Sequence, residues 1–399
     1  MRERYLQRLA ELAVSFGANV QPDQIVTVGA DVGEEELVRA VAAAAYRAGA
    51  RFVDVSYFDP YVKRARIEFA RDETLDFVPS WYGERQLEIG RQHCARIALA
   101  GPTAPGALDG LDPTRSGRDQ LPYTREGLQT IAERLVNWTV VPSPSAGWAK
   151  LVHPELGREE AVAKLWEAMG HVCRLDVDDP VAAWRARFDE LETTARRIDA
   201  HRFDAVHFEG PGTDLVVGLL PSTRWLTARE ETIWGLPYVA NLPSEELFTA
   251  PDPERTEGHV RSTKPLVLAD GTIIRGLTVR FEGGRAVEVE ADEGGEVLRG
   301  RIGFDDGASR LGEVALVDRE SRIGALGTVF YETLLDENAV SHIALGDGVN
   351  EGVDEDDLPR VNRSGIHIDF MIGSDEVSAT GIAPDGSRVP ILRGGRWQI

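Results

Sequence analysis

The residues of this chain best equipped for chemistry are acids and imidazoles set singly into apolar, strand-like runs of its second half. They occur in Asn241-Leu242-Pro243-Ser244-Glu245-Glu246 and in Leu311-Gly312-Glu313-Val314-Ala315-Leu316-Val317. They recur in Asp336-Glu337-Asn338-Ala339-Val340-Ser341-His342 and in His367-Ile368-Asp369-Phe370. A buried acid or imidazole is costly without a partner. A divalent cation is one partner that satisfies several at once, and the chemistry it would bring is hydrolysis.

In His367-Ile368-Asp369-Phe370-Met371-Ile372 polar and apolar residues alternate, which puts His367 and Asp369 on one face of a strand. Residues two apart on a strand are roughly 6–7 Å apart, from a rise of about 3.3 Å each. Both side chains can then converge on one ion, or on two ions roughly 3.5–4 Å apart. The competing account is a histidine–aspartate hydrogen bond lining a polar crevice. Glu337 and His342 would point roughly 140° apart on a continuous helix. They share a crevice only if the helix ends near Asp336-Glu337-Asn338 and His342 opens a short strand closed by Gly346; otherwise Glu337 is a surface acid at a helix end. Glu313 is flanked by apolar residues, and glutamate is seldom buried alone; Arg310 or Arg319 would be its bland partners. Glu245 and Glu246 follow Pro243 in a turn, one expected to face water and the other inward. Two histidines with several acids suit ions that prefer oxygen and nitrogen donors.

Other chemistries lack their motifs. The chain contains no His-Glu-x-x-His and no Gly-x-Ser-x-Gly. Gly210-Pro211-Gly212-Thr213-Asp214 lacks the third glycine of a dinucleotide cradle and reads as a turn between strands. Asp354-Glu355-Asp356-Asp357 lacks the ligand alternation of an EF-hand and reads as a solvated loop.

The elements that must position these residues begin with a chain of 399 residues, long enough for two domains. The formal net charge of −22 is broken by no Lys/Arg-rich tract. That excludes nucleic acid and an anionic membrane as main partners, and suits a cationic or zwitterionic ligand if it is more than a device for solubility. Two cysteines, Cys94 and Cys173, make neither a disulfide framework nor a thiolate zinc site. The start reads as an amphipathic helix rather than a signal core, and no run is apolar enough to span a bilayer. A cytoplasmic location is expected, with the sequons at Asn137 and Asn362 unglycosylated.

Along the first half, Leu6 to Phe16 read as a helix, 24–30 as a buried strand, 34–48 as a helix and 51–57 as a second strand. That order implies a parallel pair with a right-handed crossover, joined by a strand at 96–100. Helices are expected near 124–136, 158–170 and 180–198. Beyond about Phe203 shorter strands and glycine-rich turns take over, with strands expected at 202–208, 214–220, 272–281 and 285–290. The fold class is therefore α/β: a parallel N-terminal α/β domain over 1–200 and a mixed α+β domain over 201–399 that carries the metal site.

With these residues in view, the chain resembles the thermophilic metalloaminopeptidases of the aminopeptidase T, aminopeptidase S and PepS type. The likeness covers nearly the whole length. It rests on Trp138-Thr139-Val140-Val141-Pro142 with Gly147-Trp148-Ala149, on Gly210-Pro211-Gly212-Thr213-Asp214-Leu215, on Asn241 to Pro251, and on the four metal-rich segments above. The resemblance implies an exopeptidase that acts on peptides with a free N-terminus. It implies two divalent ions, whether zinc, cobalt, magnesium or manganese, held by Glu246, Glu313, Glu337, His342, His367 and Asp369, with Glu245 the alternative to Glu246. Glu313 would be the catalytic base. It also implies a homodimer whose N-terminal domains help to enclose the active sites. One departure stands out. Seven residues after the histidine matching His342 the family has a tyrosine; here that position is Val349, and no tyrosine lies between Gly346 and His367. A phenol there would serve as an oxyanion donor, a task that Tyr238 would otherwise have to fill. Two other classes compete: a mononuclear iron ring-opening dioxygenase built on His342, His367 and Asp369, and a scaffold without catalysis.

Overall fold

The computed structural model describes residues 1–119, 121–122, 124–268 and 271–399. They divide into two compact units, Met1–Trp184 with Ala228–Pro243, and Arg185–Thr227 with Ser244–Ile399. The division falls inside the helix Pro180–Ala200, and a later segment returns to the first unit.

The first unit is built on a parallel four-stranded sheet in the order Phe52–Phe58, Ile25–Asp31, Ala95–Ala100, Trp138–Pro142. Strict alternation in Ile25–Asp31 buries Val26, Val28 and Ala30. The alanine-rich helix Glu35–Arg47 buries Leu37, Val38, Val41, Ala44 and Ala45. Helices at Pro60–Phe69, Ser80–Arg91 and Ala146–Val152 were not legible from periodicity. The last is short and starts where the Ser145 hydroxyl accepts the Trp148 N–H at 3.0 Å, fixing a fully buried indole.

The second unit has an eight-stranded antiparallel sheet whose centre is Pro251–Arg261, Thr213–Leu219, Ala205–Gly210 and Ser378–Ile382. The strand expected at 272–281 is broken into Ile273–Ile274 and Thr278–Glu282. Gly276 makes the break: its φ is +60°, and a Cβ there would meet the Asp292 carboxylate at 2.0 Å.

Beside that sheet lies a smaller antiparallel one, in the order His367–Met371, His342–Gly346, Leu311–Val317, Glu246–Thr249. Its two faces differ completely. Leu247, Val314, Leu316, Ile343, Leu345 and Phe370 are fully buried and join one core with Phe208, Leu215 and Val217 of the larger sheet. At about 1.5–3 kcal/mol per buried side chain, this face contributes on the order of 10 kcal/mol to holding the sheet. The other face carries the acids and imidazoles. Pairing sets Glu313 opposite Ala344 and Ala344 opposite Asp369, His342 opposite Ala315, Gly346 opposite His367, and Val317 opposite Glu246.

A bulge between Leu311 and Glu313 lets Leu311 and Glu313 serve opposite faces in this register. Gly312 fills it because nothing larger fits: a Cβ would come within 2.1 Å of Asp347 O and 2.4 Å of Gly346 O. Gly312→Ala is therefore expected to lower stability by about 1–3 kcal/mol, as overpacking does. Chemical denaturation monitored by tryptophan fluorescence checks it, and an unchanged midpoint would show that the strands part freely at this point.

Candidate metal centre

Five of the six expected ligands come from the small sheet, and strand alternation is what turns them the same way. The sixth, Glu337, ends the helix Thr333–Glu337. That helix is only five residues long and is defined by side chains: Glu332 accepts the Leu335 N–H at 3.2 Å, and Asp336 accepts the Phe330 N–H at 2.8 Å. Ending there, it leaves Ala339 to Ser341 to turn the chain so that His342 can open the next strand.

The side-chain atoms converge. His342 Nε2 lies 3.1 Å from Glu246 Oε2 and 3.6 Å from Glu313 Oε1. His367 Nε2 lies 3.6 Å from Glu313 Oε2 and 3.3 Å from Asp369 Oδ1. The two oxygens of Glu313 thus face different imidazoles. Three overlapping groups, Glu246–Glu313–His342, Glu313–His367–Asp369 and Glu337–His342–Asp369, each offer ligand atoms within 4.8 Å of one another. Glu246, Glu313 and His342 are buried, while 38% of the His367 side chain meets solvent, which makes it the open side of the cluster.

The donor set fits a cation. His342 Nδ1 stands 3.3 Å from Val340 O, and His367 Nδ1 stands 2.9 Å from Asp347 O. A carbonyl can only accept, so each ring keeps its Nδ1 proton and presents Nε2, the nitrogen that a cation would take in place of a proton, to the carboxylates. Glu246 Oε2 is buried with only the His342 ring, 3.1 Å away, to partner it. Protonation equilibria show the same demand for positive charge. Burial opposes charge on His342, yet hydrogen bonding to Glu246 and Glu313 lifts its pKa well above the ordinary imidazole value. Burial likewise opposes charge on His367, and the charges of Asp369 and Glu313 raise its pKa. Burial raises Glu313; burial, followed by the charges of Asp369 and Glu246, raises Glu337 well above the usual carboxylate range. Asp369 alone is lowered, because His367 outweighs its burial.

Glu245 takes another part. It is fully buried and accepts from Arg187 Nε at 2.7 Å, while Arg187 Nη2 reaches Asp318 Oδ1 at 2.5 Å. Adjacent acids at a strand entrance point in opposite directions, so only Glu246 turns toward the histidines. Arg310, a bland partner expected for Glu313, instead donates to the carbonyl oxygens of Pro253 and Gly283. Tyr238 is buried in the first unit and its hydroxyl donates to Glu230. Val349 is half-buried in the loop after Gly346. Sequence reasoning missed Arg187, Asp318 and the Asp347 carbonyl. Nothing marks Arg187 among the charged residues of its helix, and a backbone carbonyl has no sequence signature.

The profile of a family described as thermophilic metalloprotease (M29) matches residues 2–397. Aminopeptidase T of Thermus thermophilus is 44% identical over 406 residues, spanning 100% of this chain and 99% of its own. Aminopeptidase PepS of Streptococcus thermophilus is 37% identical, spanning 99% of this chain and 98% of its own. The solved structure of wild-type AmpT from Thermus thermophilus superposes with a TM-score of 0.92 at 43% identity, covering 100% of both chains.

The raised imidazoles and carboxylates set a sign for metal uptake. Protons and cations compete for the same lone pairs, so binding a divalent ion must expel protons. Affinity should rise with pH until the upward-shifted histidines have lost theirs. Calorimetric titration in buffers of different ionisation enthalpy checks this, and pH-independent uptake without proton release would place the ion elsewhere.

Proposed function

The chain belongs to the thermophilic metalloprotease family (M29) and is a metal-dependent aminopeptidase; we propose that Glu246, Glu313, Glu337, His342, His367 and Asp369 hold two divalent ions. The observation that carries the proposal is the overlap of three ligand triads that share His342, Glu313 and Asp369, more donors than the three or four that one zinc ion takes from a protein. Zinc, cobalt, magnesium and manganese are the candidate ions, the imidazoles favouring the first two and the carboxylates the last two. When bound, such ions would lower the pKa of water from 15.7, to about 7 in the case of zinc, and polarise the scissile carbonyl.

The remaining work falls to the chain's own groups. Glu313 is the proposed base, a role that requires it to leave one carboxylate oxygen free of the ions and within reach of the attacking water. The same residue would return that proton to the leaving amine. The crowding of carboxylates favours the cationic end of a peptide over a blocked one, which is the physical basis for exopeptidase action. A mononuclear iron oxygenase on His342, His367 and Asp369 would leave Glu246, Glu313 and Glu337 without a task, and the family is hydrolytic.

We also propose a homodimer in the cytoplasm. Between Phe52 and Trp81 the first unit exposes Phe52, Tyr57, Tyr61, Phe69, Phe77 and Trp81, and Phe52–Phe58 is an edge strand. Exposed apolar side chains along an unpaired edge favour a covering partner. Both cysteines are free and buried, as a reducing compartment permits. Among the described residues no helix is long and apolar enough to cross a membrane.

His367→Ala and Asp369→Ala should each lower metal content and abolish cleavage while far-ultraviolet circular dichroism stays native; full metal occupancy in both would sink the assignment. N-acetylated peptides should resist cleavage, whereas equal rates on blocked and free peptides would point to an endopeptidase. Val349 cannot supply a hydroxyl, and losing an oxyanion donor lowers turnover by roughly 10²–10³-fold. The natural protein should therefore be slow or narrowly specific on a panel of short peptides, and Val349→Tyr should be faster. Fast, broad turnover by the natural protein would show that the phenol is dispensable.

A further inference from the structure

Asn338 directly follows Glu337 and is fully buried. Its side-chain oxygen accepts the backbone N–H of Glu245 at 2.6 Å. Its nitrogen donates to Leu334 O at 3.1 Å, and faces Glu246 Oε1 and Glu337 Oε1, each at 3.4 Å. The amide has no choice of orientation. An N–H can only donate, so the Glu245 amide must meet oxygen, and the NH₂ end is turned to the two carboxylates. Glu245 is itself held by Arg187 at 2.7 Å, which anchors this arrangement from behind.

We propose that Asn338 is a positioning residue for the metal cluster. Its NH₂ group joins a carboxylate from the strand, Glu246, to a carboxylate from the helix end, Glu337, and decides which oxygen of each remains available to the ions. In Glu246 the division is visible: Oε1 is the atom facing Asn338, while Oε2 is the atom 3.1 Å from His342 Nε2. A donor is required at this place. An aspartate would retain the bond to the Glu245 amide and set a third carboxylate against two others. The proposal rests on the ligand assignment made above and adds to it a residue that touches no ion.

Hydrogen-bonding partners of metal ligands typically contribute 10–100-fold to metal affinity. The test is titration of the full-length protein, freed of metal by a chelator, with Mn²⁺ followed by electron paramagnetic resonance. Asn338→Ala should bind Mn²⁺ about 10–100-fold more weakly. Ser321→Ala is the control, because the Ser321 hydroxyl holds the Asn338 carbonyl at 2.7 Å and its loss loosens the same helix end without touching the amide. That variant should bind Mn²⁺ as the natural protein does. If Asn338→Ala does not fold, Asn338→Ser is read in the same way, since a serine cannot span both carboxylates. Native affinity in the Asn338 variant overturns the proposal. So does an equal loss in Ser321→Ala, which would mean that Asn338 acts only through folding. A natural protein that takes up neither Mn²⁺ nor, by metal analysis, Zn²⁺ or Co²⁺ removes the ligand assignment and the proposal with it, an outcome distinct from the other two.

Discussion

Like charges gathered away from bulk water repel, and the fold of the second unit is organised around holding four carboxylates where they would otherwise separate. Two unit charges 4 Å apart interact with about 4 kcal/mol at an effective dielectric of 20. Glu246, Glu313, Glu337 and Asp369 cannot bear several such terms unless positive charge stands among them. Two imidazoles supply part of it, through the upward shifts of His342 and His367. The apolar reverse of the same sheet keeps the arrangement together, because any slip of register would drag Leu316, Ile343 or Phe370 out of the core.

That coupling of faces explains how much of the site was legible in the sequence. A period-2 pattern with an apolar phase states which residues share the other phase, so His367 with Asp369 could be read from alternation, whereas Glu313 was marked only by its apolar neighbours and its face depends on the bulge at Gly312. The strand His342–Gly346 was legible because continuous helix from Glu337 would have separated two groups of matching chemistry. In the first half, short apolar runs and an alanine-rich stretch located the strands Ile25–Asp31 and Phe52–Phe58 and the helix between them to within a residue or two.

What was not legible depends on contacts across long separations or on backbone atoms. Nothing local distinguishes Glu245 from Glu246. The distinction is made by Arg187, 58 positions away, whose guanidinium captures one acid and leaves the other for the cluster. The break in the strand expected at 272–281 depends on Asp292 packing over Gly276. Helices such as Pro60–Phe69 bury little, only Ile67 in that case, so they carry no strong apolar period to detect.

The bulge at Gly312 joins the backbone to the site. Asp347 O is at once the oxygen that a Cβ at Gly312 would strike, at 2.1 Å, and the acceptor that orients His367 Nδ1, at 2.9 Å. The glycine therefore lets two strands approach closely enough for one carbonyl to reach the imidazole ring of the next strand. A residue with no side chain and no titratable group helps to set the tautomer of a histidine in the cluster. The site is determined by its acids and imidazoles for their charge. Their direction is determined by a glycine, a backbone carbonyl and the pairing register, features that show their purpose only once the strands lie side by side.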